Sequence, residues 1–438
     1  MKQAEVPFDK QVIDDIVKQQ EVNPERCSIR ELKRLVDKIE EKLGVRFIRM
    51  EFGIPGFKTN STAIEAEKEA LSKKEISNQY PPTEGIPSLK EEAAIFIKKF
   101  LGIDVTPECC VPTCGAMHGG FLSQAVVGYI HPKKRVILFL DPGFPVNKMQ
   151  NRFLGLECDS IDFYSKRGEA LVKAVETRFQ KGDVAGFLYS NPNNPTWITH
   201  TEQELRGFGR VLTQHDGIAI EDLAYFGMDF KEGYEKPGVP PYPPTIARYT
   251  ENYILLLSSS KIFSYAGQRI GVAVLSPKLF HWKSDALEKR FGFKSVAHSL
   301  IHSGIYCTTS GVSHAPQWGL KALLEKANQG NWNFLGELKE YQRRARFMKK
   351  IFQENGFRLA YDEIGKPLND GFYFTYNYPG INNTDLAMEQ LYYGWSSLSL
   401  IETGAKETGG FRACVSLVDE SQFDTLRYRL RRFHEDHG

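Results

Sequence analysis

No stretch of this sequence is long and apolar enough to span a bilayer, which takes about 20 apolar residues. The first 23 residues are polar and charged and lack the apolar core of a secretion signal. An excess of one charge is also missing. Lys and Arg number 56 against 54 Asp and Glu, a net +2, which gives neither nucleic acid nor an anionic membrane a reason to bind. Cysteine is sparse. The seven, at 27, 109, 110, 114, 158, 307 and 414, are scattered, odd in number and without zinc spacing. Neither a disulfide framework nor a metal site is expected from them. There is no internal repeat and no low-complexity segment. These absences lead to the expectation of a reduced, cytoplasmic protein with no metal, no nucleic acid and no membrane as partner.

What is present is an ordinary globular composition, 41% hydrophobic and 25% charged over 438 residues. That length suits two domains around a shared cleft. Residues 1–27 read as an arm. Leu32, Leu35, Val36, Ile39 and Leu43 recur at helical spacing over 28–43, and Gly44 stops that helix. Short Val/Ile/Leu-rich runs at 135–140, 185–190, 217–221, 253–257 and 270–275 suit buried strands. Helical stretches lie between them, one opening on the capping box Thr201-Glu202-Gln203-Glu204. Such alternation predicts an α/β fold, a mostly parallel sheet covered by helices. After about residue 310 the texture changes to a smaller α+β unit: a charged helix over 334–353, strands at 371–378 and 411–416, and a C-terminal helix from about 421. The expected division is 1–50 as arm and part of the small domain, 51–310 as the large domain, and 311–438 as the small domain.

Several segments at strand ends carry chemistry. Ser258-Ser259-Ser260-Lys261 follows the run 253–257, and Arg269 lies eight residues beyond the lysine. Desolvating an ammonium is costly, and joining the amine to an aldehyde removes the charge while supplying reactivity. Read alone, Lys261 is equally a solvated lysine in a serine-rich turn. Ser258, Ser260 and Arg269 are phosphate ligands by type, since the guanidinium fork matches two phosphate oxygens. Asp222, at the end of 217–221, is placed where open α/β sheets hold ligands and suits a protonated ring nitrogen, with Tyr225 near a phenolic oxygen. As a single residue it also suits a turn. Asn194 lies in Asn191-Pro192-Asn193-Asn194-Pro195-Thr196, foremost a turn-forming sequence. Gly115 and Ala116 open an apolar helix whose N-terminus is a ready phosphate site. Phe144 follows the run 135–140 and offers a ring for stacking, and Arg412 offers a grip for a carboxylate.

In order and spacing these segments resemble fold-type I pyridoxal 5′-phosphate (PLP) enzymes, specifically the class I/II aminotransferase family. The resemblance runs from Gly53-Ile54-Pro55-Gly56 to Arg412 and includes Tyr80 with Gly85-Ile86-Pro87-Ser88-Leu89-Lys90. It implies a PLP-dependent aminotransferase that moves an amino group from an L-amino acid to a 2-oxo acid by a ping-pong mechanism. By that resemblance Lys261 forms the Schiff base and shuttles the proton. Asp222 pairs with the pyridine nitrogen, Tyr225 with the phenolic oxygen, and Phe144 stacks on the ring. Gly115, Ala116, Ser258, Ser260 and Arg269 hold the phosphate. Tyr80 reaches the phosphate of a partner subunit in a homodimer. Asn194 also touches the cofactor and, with Arg412, binds the substrate carboxylate, while the Gly53 region closes over it.

Three departures from the family pattern fall on the substrate side: Trp197 where glycine is usual, Cys114 before Gly115, and a segment 398–410 without the usual proline. A carbon–sulfur β-lyase on the same scaffold is the rival reading. A PLP-binding regulator is not expected, because only some 50 residues precede Gly53 and they form no basic helix pair. Arg290, Lys294 and His298 lie in a plausible region for a second substrate carboxylate but in no matched motif.

Overall fold

A computed structural model describes residues 5–73, 75–361 and 369–438. Its centre is a seven-stranded sheet in the order Cys110–Thr113, Gly271–Leu275, Tyr253–Ser258, Ile218–Leu223, Val184–Ser190, Val136–Asp141, Glu157–Asp162. Gly271–Leu275 runs antiparallel to both its neighbours, and the remaining pairings are parallel. Five of the strands coincide with the apolar runs. They are buried along their length because helices cover both faces, as parallel sheets require. Gly186 shows the two faces within two residues. A side-chain carbon there would come 2.6 Å from Val127 of the helix Gly115–Tyr129. The next residue, Phe187, packs edge-on against Phe208 of the helix Glu202–Gln214 on the other face.

The second unit is built on an antiparallel sheet in the order Leu398–Ser399, Phe411–Cys414, Tyr373–Asn377, Arg358–Leu359. Phe334–Glu354, Asn383–Tyr393 and Glu420–His437 are its helices. The N-terminal part of the chain joins it. Ile48–Arg49 pairs in parallel with Trp395–Ser396. Arg49 gathers the carboxylates of Asp37, Glu40 and Glu51, and Glu51 also accepts from the Ser396 hydroxyl at 2.6 Å.

Two features differ from expectation. The segment read as an arm carries a helix, Lys10–Gln19, capped by Asp9. It docks on the second unit through Phe8 N–H to the Tyr392 carbonyl (2.7 Å) and Tyr392 hydroxyl to Asp14 (2.5 Å). Its buried contacts are few, Val6, Phe8, Ile13 and Ile16, so its apolar period is short and its charges dominate the sequence. The helix His314–Asn328, beyond residue 310, packs on Ser61–Lys73 and Pro87–Leu101 of the large unit.

Helix ends follow local chemistry. Ser28 and Thr201 both form complete capping boxes, with Glu31 and Glu204 reaching back to the cap N–H. Glu204 is buried, which by itself raises its carboxyl, but His200 at 3.5 Å and then Arg167 at 3.1 Å hold it far below the ordinary range. Thr201→Ala removes an acceptor from the N3 amide and is expected to cost about 1 kcal/mol. A lowered thermal midpoint, restored by Thr201→Ser, is the measurement that checks it.

Candidate active site

The large sheet delivers its polar residues at the carboxyl ends of adjacent strands. Tyr253–Ser258 runs into a short helix, Ser259–Ile262, which Ser258 caps by accepting the Ser260 N–H at 3.2 Å. That turn aims Lys261 across the cleft, where its ammonium donates to the Gly53 carbonyl. Burial pushes Lys261 down to about 8. Cys414 opposes the fall, and Arg412 and Arg269 add to it. An amine with that proton affinity is partly neutral near physiological pH and therefore nucleophilic.

Asp222 lies on the next strand. One carboxylate oxygen accepts the Ala224 N–H at 3.0 Å, and desolvation pushes the carboxyl up to about 6. Its backbone carbonyl takes the Asn191 N–H at 3.0 Å and so starts the loop 191–196. The loop is locked by its own asparagines. The Asn191 amide donates to Glu221 (3.2 Å) and the Pro244 carbonyl (3.0 Å), and Asn193 accepts from the Thr196 hydroxyl (2.8 Å). The Asn194 N–H bonds Ser190 at 3.0 Å. Local bonding of this density explains why turn-forming asparagines hold a fixed side chain here.

Gly115 opens its helix at φ +76°, a conformation that favours glycine. A side-chain carbon at that position would stand 2.9 Å from the Arg269 guanidinium. No side chain caps the helix, because the Cys114 N–H is turned to His118 Nδ1 at 3.2 Å. Free helix amides beside a guanidinium make an anion cradle. Arg269 is held at 2.9 Å by the Ala266 carbonyl.

The small unit contributes Arg412, 1% exposed, on Phe411–Cys414. Its Nη1 donates to Asn194 Oδ1 at 3.0 Å and its Nη2 to the Glu51 carbonyl at 2.6 Å. Nε has no partner. Lys261, Asn194, Arg412 and Gly53 are thus brought together, and the cradle of Gly115 and Arg269 lies near enough for Arg269 to act on the charge of Lys261.

Other expected residues are placed less tightly. Phe144 caps the helix Pro145–Phe153 and is half-buried, in a small cavity with Ser190 and Lys148. Tyr80 is 87% exposed on a loop. Arg290 lies over the Tyr129 ring, Lys294 pairs with Asp285 and Glu288, and His298 is exposed. The segment 398–410 crosses to the large unit. Thr403 accepts the Gly143 N–H at 2.8 Å, and Asp162 accepts the N–H groups of Lys406 (2.7 Å) and Glu407 (3.0 Å).

Sequence reasoning missed Tyr373. Its hydroxyl is 2.7 Å from that of Tyr225, and its ring backs Arg412. The sequence shows only that it falls in the strand read at 371–378, and nothing in that pattern singles it out. Trp197, seen as a departure, is 1% exposed and packs edge-on against both tyrosines.

Residues 47–365 match the family of aminotransferase class I and II. Over 232 residues the chain is 25% identical to a probable aspartate aminotransferase of Methanocaldococcus jannaschii, covering 53% of this chain and 58% of that one. Over 236 residues it is 28% identical to a probable aspartate/prephenate aminotransferase of Thermus aquaticus, covering 52% and 57%. The chain thus spans little more than half the length of these curated relatives. The structure of a Thermotoga maritima aspartate aminotransferase superposes with TM-score 0.74 at 19% identity, over 94% of this chain and 98% of that one. That likeness is one of fold.

Asp222 has a consequence for stability. Its carboxyl is raised in the folded protein, so the ionised form costs stability above about pH 6, and the cost vanishes as pH falls below its unfolded value. Asp222→Asn has no charge to desolvate. In protein stripped of cofactor it should be more stable than wild type at pH 8, by about 1–3 kcal/mol, and no more stable near pH 4. Thermal unfolding at the two pH values checks this.

Proposed function

The chain belongs to the class I and II aminotransferase family, and from that premise we propose that it is a PLP-dependent aminotransferase passing an amino group from an L-amino acid to a 2-oxo acid in two half-reactions. The observation that carries the proposal is the meeting of Lys261 with Arg412 and Asn194, a softened amine beside a carboxylate grip assembled from both units. The residues fit the cofactor on their own chemistry. Asp222 is a desolvated carboxyl with an opening for a cationic partner, and a pyridinium is one. The uncapped helix at Gly115 with Arg269 suits a phosphate. Ala116, Ser258 and Ser260 complete that set, and Phe144 is the ring for stacking. When bound, PLP supplies an aldehyde for the lysine and a ring that accepts electrons as the Cα proton leaves.

The protein's own residues do the rest. Asp222 keeps the ring nitrogen protonated. Tyr225 donates to the ring oxygen. Arg412 and Asn194 fix the substrate carboxylate, which aims the Cα hydrogen at Lys261 Nζ. Lys261 Nζ would be placed to take that proton and hand it back. The Gly53 carbonyl, which now holds Lys261, belongs to a segment that closes over substrate. The proposal extends to a cytoplasmic homodimer in which the exposed Tyr80 reaches the phosphate of the partner subunit's cofactor. The division into 1–50, 51–310 and 311–438 is part of the same reading, except that the helix His314–Asn328 packs with the large unit.

Borohydride reduction of the PLP-loaded protein should fix the label on Lys261, and a peptide map with the label elsewhere removes that lysine. L-amino acids without a leaving group, aspartate among them, should convert the bound cofactor to its pyridoxamine form. Pyruvate and ammonia from a cysteine conjugate, with no such conversion, would establish the lyase instead. Arg412→Leu should raise KM about ten- to a hundredfold, the worth of a charge-assisted contact of about 1.5–3 kcal/mol, while the cofactor absorbance stays. Steady-state kinetics across several amino acids measures it.

A further inference from the structure

Tyr373 lies where the two units meet. Its ring is 4.3 Å from the Arg412 guanidinium carbon, and its hydroxyl is 2.7 Å from the Tyr225 hydroxyl. A side chain at Gly53 would overlap that hydroxyl. Tyr373 is 2% exposed and Tyr225 is 4% exposed, so bulk water competes for neither. The direction of the bond between them follows from proton counting. A tyrosine hydroxyl has one proton to give. If Tyr225 gives its proton to an ionised ring oxygen of the cofactor, its own oxygen can only accept, and Tyr373 is the donor in reach.

We infer that Tyr373 is a positioning residue that completes a donor relay, from Tyr373 to Tyr225 to the ring oxygen of the cofactor, and so makes that oxygen less basic. The inference rests on the proposed function. A hydroxyl that accepts a hydrogen bond donates its own more strongly, by roughly 10–30%. Burial keeps both hydroxyls protonated over the working range, Tyr373 at about 12 and Tyr225 well above the usual tyrosine value. The other charged or titratable groups facing the pair are Arg412, which pulls both down, and Cys414, which pushes both up. Lys261 stands beyond Cys414. The Tyr373 ring has a second task that the hydroxyl does not share, since it backs the guanidinium that grips substrate.

The two tasks separate by substitution. Tyr373→Phe keeps the ring and deletes the hydroxyl. Tyr373→Leu deletes both. The full chain is loaded with PLP, and the visible band of the bound cofactor is titrated with pH. With a weaker donor the ring oxygen is a stronger base, and the protonation midpoint of the band rises. The expected rise for Tyr373→Phe is about a few tenths of a pH unit, with KM for the amino acid held. Tyr225→Phe should raise the midpoint further. Placed on Tyr225→Phe, the Tyr373→Phe change should add nothing, because the relay then has no middle. Tyr373→Leu should raise KM as well. An unmoved midpoint in Tyr373→Phe, or the same rise when Tyr225 is already phenylalanine, overturns the relay while leaving the aminotransferase reading intact. Wild-type protein that takes up no PLP overturns that reading, and the relay with it, since the relay ends on the cofactor.

Discussion

Arg412 is a guanidinium at 1% exposure whose partners are neutral: an amide oxygen of Asn194, the backbone carbonyl of Glu51 and the face of Tyr373. Taking such a charge out of water costs several kcal/mol unless it is met by hydrogen bonds and an opposite charge. These contacts, two hydrogen bonds and one ring face, come from three separate parts of the chain, so the position of Arg412 constrains all three. Asn194 must be held at the end of Val184–Ser190, Glu51 must follow Ile48–Arg49, and Tyr373 must lie across the sheet from Cys414. The opposite charge is what the proposed carboxylate substrate would bring. The same residues that join the units therefore leave one electrostatic demand for the ligand to meet, and the Nε without a partner is part of that demand.

The complementary demand lies in the large unit. Asp222 and Lys261 both pay desolvation, with opposite results: the carboxyl rises and the ammonium falls. Each is moved towards neutrality, which is the general response of a buried ionisable group without a full partner. A ligand with a cationic ring nitrogen and a carbonyl carbon relieves both at once. Glu221, the neighbour of Asp222, is buried still more deeply and raised to about 7, yet it has four local partners in Tyr189, Asn191, Thr245 and the Ile246 N–H. Two adjacent carboxyls on one strand point to opposite faces. One is satisfied within the protein and braces the loop of Asn194, and the other is left for a ligand.

Much of this was legible in the sequence because it is local. The capping boxes at Ser28 and Thr201 depend on residues three apart, and the five central strands are continuous apolar runs. The motifs from Gly115 to Lys261 follow the strand ends of the large sheet. Other features had no such signal. Glu157–Asp162 is a polar edge strand, half of it exposed, and shows no apolar run to read. Cys110–Thr113 is only four residues long and contains Pro112. The helix His314–Asn328 looks like any amphipathic helix, and only tertiary packing on Ser61–Lys73 assigns it to the large unit. The contact between Tyr225 and Tyr373 spans 148 residues, and no periodicity reports it.

Trp197 shows how such a distant contact is stabilised. It stands at φ +66°, where a bulky residue is strained by about 1–2 kcal/mol. Its indole N–H is buried without an acceptor among the described residues, at a cost of about 1–3 kcal/mol. Against these stands the burial of an indole, about 150–250 Å², which at about 25 cal/mol per Å² returns roughly 4–6 kcal/mol. Burial wins, but only where the space exists, and Gly371 provides it. Any side chain there would overlap the indole. The ring then leans edge-on against Tyr225 at 5.3 Å and Tyr373 at 6.0 Å between centroids. A glycine at 197, as the resemblance expects, would relieve the strain and leave both tyrosines without that wall. This departure from the family pattern thus forms one wall of the Tyr225–Tyr373 pair, and its strain and its N–H without an acceptor among the described residues are the costs of that support.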